Sequence, residues 1–261
     1  MKPTLALLLL LIAGCTNDKK GGVKMNGTYK MLSQSIKRTD LDSTSSALKQ
    51  LKIFTGDFMM YANFNTLDSS SSFGIGTYDA EKDTVTEHVS FSASDSLKNE
   101  ELRHYRLTIT KSDKGYEQVI TGMVTGDQKY TLTEAYENTG TGTKSKIDGA
   151  WILDDAYIVK GTDTVRNMRT QYKTYFAGYC IWANSTTDST KRNHTSMGFG
   201  KFEMPSDNKI KESMMESTFA EVRGHDFDIE IELTGKDAFK QTIANSDGTK
   251  SIEYYKRMVK E

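Results

Sequence analysis

This chain has little proline, cysteine or histidine and almost no net charge, and each shortage closes a class of answers. With 2 prolines in 261 residues, the turns must be made by glycine, asparagine and aspartate. Two cysteines, 15 and 180, supply no disulfide framework to staple a small fold. The four histidines, 88, 104, 194 and 225, show no pair at metal-ligand spacing and no neighbouring cysteine, so no metal site is expected. A total of 34 basic against 35 acidic residues, net −1, removes the electrostatic case for a nucleic-acid partner. Leu5 to Ala13 is the long apolar run, and it is far short of the roughly twenty residues a membrane-spanning helix needs. No nucleophile elbow is present. Gly74-x-Gly76 and Gly198-x-Gly200 are too short for a nucleotide loop and fit bulges in strands better. The expectation is a protein that is not an enzyme and carries no cofactor.

What is there begins at the first residues. Lys2, the run Leu5–Ala13 and then Ile12-Ala13-Gly14-Cys15 have the order of a secretion signal. Ile-Ala-Gly-Cys resembles the lipobox of bacterial lipoproteins. The resemblance implies a signal peptide over residues 1–14, cleavage before Cys15, and acyl chains such as palmitate on that cysteine, which would make the membrane a partner. An ordinary secretory signal with a cysteine at its boundary is the alternative. Thr16 is not the aspartate that retains some lipoproteins at the inner membrane, so the outer membrane is the expected location. Residues 15–24 are polar around Asp18-Lys19-Lys20-Gly21-Gly22 and read as a tether.

Beyond it the chain alternates with a period of two. Phe227-Asp-Ile-Glu-Ile-Glu-Leu233 and Tyr105-Arg-Leu-Thr-Ile-Thr110 have the pattern of strands with one buried face. Turn signals such as Gly126-Asp127 and Asn245-Ser-Asp-Gly248 separate such runs. One stretch, Leu41 to Leu51, has leucines 48 and 51 at helical spacing and is expected to be a helix or loop. The chain also repeats itself. Leu51–Asn63 lies without gaps on Tyr172–Asn184, with Lys52/Lys173, Ala62/Ala183 and Asn63/Asn184 identical. Gly27-Thr-Tyr29 corresponds to Gly149-Ala-Trp151, Gly74–Tyr78 to Gly198–Phe202, and Glu134-Ala-Tyr136 to Glu253-Tyr-Tyr255. Four matches in one order predict two copies of a β-domain, 25–145 and 146–261.

Each copy must bury its sheet without a disulfide, and closing the sheet into a barrel removes its edges. Gly149-x-Trp151 on a first strand and Arg257 on a last strand resemble the pattern of the lipocalins and wider calycins. That resemblance implies an all-β chain of two tandem antiparallel lipocalin-like barrels, with Trp151 packed under Arg257 as a structural closure. In the first copy Tyr29 and Asn138 take those places.

Candidate ligand contacts follow from the repeated segment read as one strand. By alternation Phe54, Gly56, Phe58, Met60 and Ala62 share a face, as do Tyr175, Ala177, Tyr179, Ile181 and Ala183; Tyr61 and Trp182 lie opposite. Two apolar faces on one strand imply a ligand pocket or a contact between barrels. Phe54, Phe58, Tyr61, Tyr175, Tyr179 and Trp182 are the expected walls for a small apolar or amphipathic ligand. The alternative is a non-catalytic envelope protein whose barrels are filled and whose surface contacts a protein or a glycan. Glu134 and Glu253, one per copy, are expected to partner a basic residue near a barrel end rather than act as a catalytic pair. Cys180, between Tyr179 and Ile181, is expected to be buried.

Overall fold

The computed structural model describes residues 22–93, 103–140, 142, 144–190 and 192–260. The signal-like segment and Cys15 lie outside the described residues. The first copy contributes β1 (Gly27–Lys37), β2 (Asp42–Ser45), β3 (Leu48–Thr55), β4 (Phe58–Asn65), β5 (Ser71–Glu81), β6 (Thr84–Ser92), β7 (His104–Ser112), β8 (Gly115–Thr125) and β9 (Gln128–Asn138). The second contributes β10 (Gly149–Lys160), β11 (Asp163–Arg166), β12 (Thr170–Phe176), β13 (Tyr179–Thr187), β14 (Asn193–Ser206), β15 (Lys209–Ser217), β16 (Asp226–Leu233), β17 (Ala238–Ala244) and β18 (Lys250–Arg257). Neighbouring strands pair antiparallel in chain order, and β1 pairs with β9 as β10 pairs with β18. Each copy is therefore a closed eight-stranded barrel, with β2 or β11 laid as an extra strand on the far end of the first. Closure holds for the first copy too, although Tyr29 faces Asn138 where Trp151 faces Arg257.

Two local expectations are corrected. Leu41 to Leu51 is not helical: it forms β2 and the start of β3, with Leu48 packed into the first barrel and Leu51 buried on its outer side. Their spacing of three places them on opposite faces of β3, Leu48 inward and Leu51 outward. The repeated segment is likewise not one strand but a hairpin, turning at Gly56-Asp57 and at Ala177-Gly178. Both turns use left-handed residues, with φ of 58° at Gly56, 51° at Ala177 and 84° at Gly178, as two-residue hairpins require. The turn resets the alternation: Phe54 shares a face with Met59, and Phe58 lies on the other.

The Gly-x-Gly pairs are bulges, with register shifts at Ile75/Gly76 and Phe199/Gly200. A Cβ on Gly76 would fall 1.9 Å from the His88 carbonyl oxygen, and one on Gly200 2.1 Å from that of Ser213. The preceding glycines serve the aromatic rings instead, leaving room for Tyr61 beside Gly74 and for Trp182 beside Gly198.

Three cores result. One fills each barrel, around Tyr29, Phe54 and Tyr116 in the first and around Trp151, Tyr175 and Phe239 in the second. The third lies between them, where outward residues Leu51, Ile53, Met60, Phe64, Phe73 and Ile75 meet Tyr179, Ile181, Met197 and Phe199. Each such side chain, fully buried, contributes about 1.5–3 kcal/mol. The barrels lie side by side in the same sense. At one end Thr28 Oγ1 donates to the Phe176 carbonyl at 3.0 Å, and at the other Phe91 packs on Tyr172 with centroids 5.0 Å apart. The chain enters at the former, closed end, where Val23 N donates to the Lys82 carbonyl at 2.8 Å and Met25 is buried in the first barrel.

Candidate functional site

The second barrel contains a cavity of about 220 Å³ at its other end. β12 and β13 set its floor and one wall, because inward positions alternate: Arg169, Gln171 and Lys173 lead to Tyr175, and Asn184 and Trp182 lead to Cys180. Met214, Phe227, Ile229 and Ile243 add apolar wall from the facing strands. The loop after β15 covers the mouth, with Phe219 stacked on Trp182 at 6.1 Å and 18° and Val222 beside it.

The floor is a closed set of ion pairs and hydrogen bonds. Lys173 Nζ lies 3.3 Å from Glu212 and donates to Gln241 at 3.1 Å and to the Tyr175 hydroxyl at 3.2 Å. Arg169 pairs with Glu253 and donates to Gln171 Oε1 at 2.6 Å. Glu253 also accepts from Gln241 and from the Tyr255 hydroxyl, both at 2.6 Å. Burial first, then the neighbouring carboxylates, pushes the Tyr175 and Tyr255 hydroxyls well above the usual phenol range, so both stay donors. A buried charge is tolerable only when paired and hydrogen-bonded. The two cations and two carboxylates here meet that condition.

The first barrel carries the same device with one change. Lys52 sits 2.5 Å from Glu87 and donates to Gln118 at 3.2 Å. Glu134 accepts from Gln118 at 2.5 Å, Tyr136 at 2.8 Å and Gln34 at 2.9 Å. Where the second barrel has Arg169, this one has Leu48, so one cation faces two carboxylates. Burial, opposed by Lys52, raises the Glu87 carboxyl above its ordinary value. Asn63 is tied to Gln50 at 3.2 Å and to Ser72 at 2.9 Å. Its counterpart Asn184 lines the cavity with no side-chain hydrogen bond among the described residues.

The six expected ligand contacts divide between compartments. Trp182 lines the cavity. Tyr175 lies beneath it in the core of the second barrel. Phe54 and Tyr61 belong to the interior of the first barrel. Tyr179 points outward into the contact between barrels, where its hydroxyl meets Thr139 at 2.7 Å, and Phe58 shares the outward face of β4. Arg257 lies 4.1 Å over the Trp151 ring and donates to the Asp148 carbonyl at 2.8 Å, while Trp151 Nε1 donates to that of Ile147 at 2.8 Å. Glu253 has the basic partner the sequence led us to expect, but inside the barrel; Glu134 has only neutral donors among the described residues. Cys180 is buried, and burial pushes its thiol up. Arg169, Gln171, Lys173, Glu212 and Gln241 were missed, although Lys52 and Lys173 recur at the repeat offset within otherwise apolar segments.

No family model matches this sequence, and no curated protein matches it. Among solved structures, a protein of unknown function of the DUF3598 family from Nostoc punctiforme is similar over 89% of this chain and 96% of its own, at 11% identity and a TM-score of 0.27. So low an identity and score transfer no role to this chain.

Proposed function

We propose that this protein is a lipid-anchored binding protein, held to a membrane through acylated Cys15, whose second barrel takes a small amphipathic molecule. The observation that carries the reading is the 220 Å³ cavity, with apolar walls above a polar floor. That combination is how small-molecule sites fix both affinity and orientation, and the volume lies below the roughly 300–1,000 Å³ of drug-sized pockets. A ligand of one or two rings suits it. Trp182 and Phe219 offer such a ring a stacking surface. Because the chain enters at the closed end of the first barrel and the two barrels run in the same sense, an anchor at Cys15 would leave the mouth facing away from the membrane.

Native mass spectrometry of residues 16–261, purified gently and compared with the same sample after denaturation, tests the binding half. Mass lost on denaturation, absent from Trp182→Ala, is the expected result. A clean mass together with no tryptophan response to small amphiphiles would overturn it in favour of a filled barrel that contacts a protein or a glycan. A mass increment on the full chain that disappears in Cys15→Ala tests the anchor.

A further inference from the structure

Resting on that reading of the cavity, we infer that its ligand is an uncharged molecule carrying an amide-like or hydroxyl group that pairs with Asn184. Two observations lead there. The ionised groups of the floor are already matched, Lys173 with Glu212 and Arg169 with Glu253. A charged ligand would leave a net charge inside the barrel or pull one of these pairs apart. Breaking a buried pair costs several kcal/mol, which is on the order of 100-fold or more in affinity. Asn184, by contrast, faces the cavity with both its donor and its acceptor unengaged among the described residues.

The duplication supplies an internal comparison. In the first barrel the same asparagine is held by Gln50 and Ser72, so the residue type alone does not create an open amide. A side-chain amide presents two donors and an acceptor. It complements a carboxamide, a lactam or an alcohol without any charge, and the ring of such a ligand would lie against Trp182.

The test uses matched pairs of nearly equal shape and different charge, benzamide against benzoate and indole-3-acetamide against indole-3-acetate, titrated calorimetrically into residues 16–261, with toluene and indole as apolar references. The amides are expected to bind, their carboxylates more weakly by about 100-fold or more, and Asn184→Leu to lose the amides while keeping indole. In Asn184→Asp the preference should turn to the cation benzamidine over benzamide. Equal binding of amides and acids would overturn the charge argument and leave the cavity reading standing, as would binding of the apolar references alone. Failure of every probe would overturn both. Unchanged amide affinity in Asn184→Leu, with tryptophan emission as in the parent, would remove Asn184 from the site.

Discussion

Replacing Arg169 by leucine reproduces in the second barrel the charge pattern of the first, and the consequence can be worked out. Arg169 and Glu253 keep only 13% and 7% of their side-chain surface exposed, so solvent screens the pair little. Removing one member of a buried pair generally costs about 3–5 kcal/mol. Here Glu253 keeps hydrogen bonds from Gln171, Gln241 and Tyr255, and Glu134 shows that such a carboxylate is tolerated with neutral donors. The loss should therefore lie near the lower limit, about 3 kcal/mol at pH 7.5. Both tryptophans, 151 and 182, belong to the second barrel, so urea denaturation followed by their emission reads that barrel. Adding Glu253→Gln to Arg169→Leu should recover most of the loss, a coupling of about 2 kcal/mol. A loss below about 0.5 kcal/mol would refute the claim that the pair neutralises the floor.

In the first barrel, burial holds the Glu87 carboxyl above its ordinary 4.5; its contribution is therefore complete below about pH 4.5 and is lost as pH rises through the folded value. The stability of Glu87→Gln relative to the parent should rise from pH 4.5 to 8 in urea melts read by tyrosine circular dichroism, and a flat difference would sink this account. Gly198→Ala brings a Cβ within 2.7 Å of the Trp182 ring and should cost about 1–3 kcal/mol as an overpacking change. The same substitution in Trp182→Ala should cost clearly less if the ring is the obstacle. Ile181→Asp places a charge in the contact between barrels and should separate one unfolding transition into two in calorimetry; a single transition would show that the barrels do not depend on that contact.

Much of the architecture was legible in the chain. Period-two runs such as Phe227–Leu233 became β16 without adjustment, and the ordered matches gave two barrels, because alternation and duplication are written in the residues. The two hairpin turns inside the repeated segment were missed. Gly56-Asp57 carries the same Gly-Asp signal as Gly126-Asp127, but reading the repeated segment as one strand overrides it, and the Ala177 turn needs an alanine with positive φ, which no propensity would suggest. Missing the turn placed Phe58 with Phe54 and Tyr179 with Tyr175, on the wrong sides of their sheets. The polar floor was obscured for another reason: its residues come from β12, β15, β17 and β18 and from Arg169 just before β12. Only closure of the barrel brings Lys173 to Glu212 and Arg169 to Glu253. Trp182 could be picked out because its size marks it wherever it lies, whereas Gln171 and Gln241 have meaning only as neighbours.

The apolar seam between the barrels bears on how this chain is inherited and made. A single barrel cut out at the connection would present a sticky wall of methionine, isoleucine and phenylalanine to water, of the kind that drives chains to clump. The barrel is what was copied, yet only the pair covers that wall. During synthesis the first barrel emerges with that wall bare and must wait for the second, so its survival depends on how quickly the rest of the chain follows or on a helper that shields it meanwhile. Substitutions along the seam would then reduce the amount of protein recovered long before they alter what the finished molecule can hold.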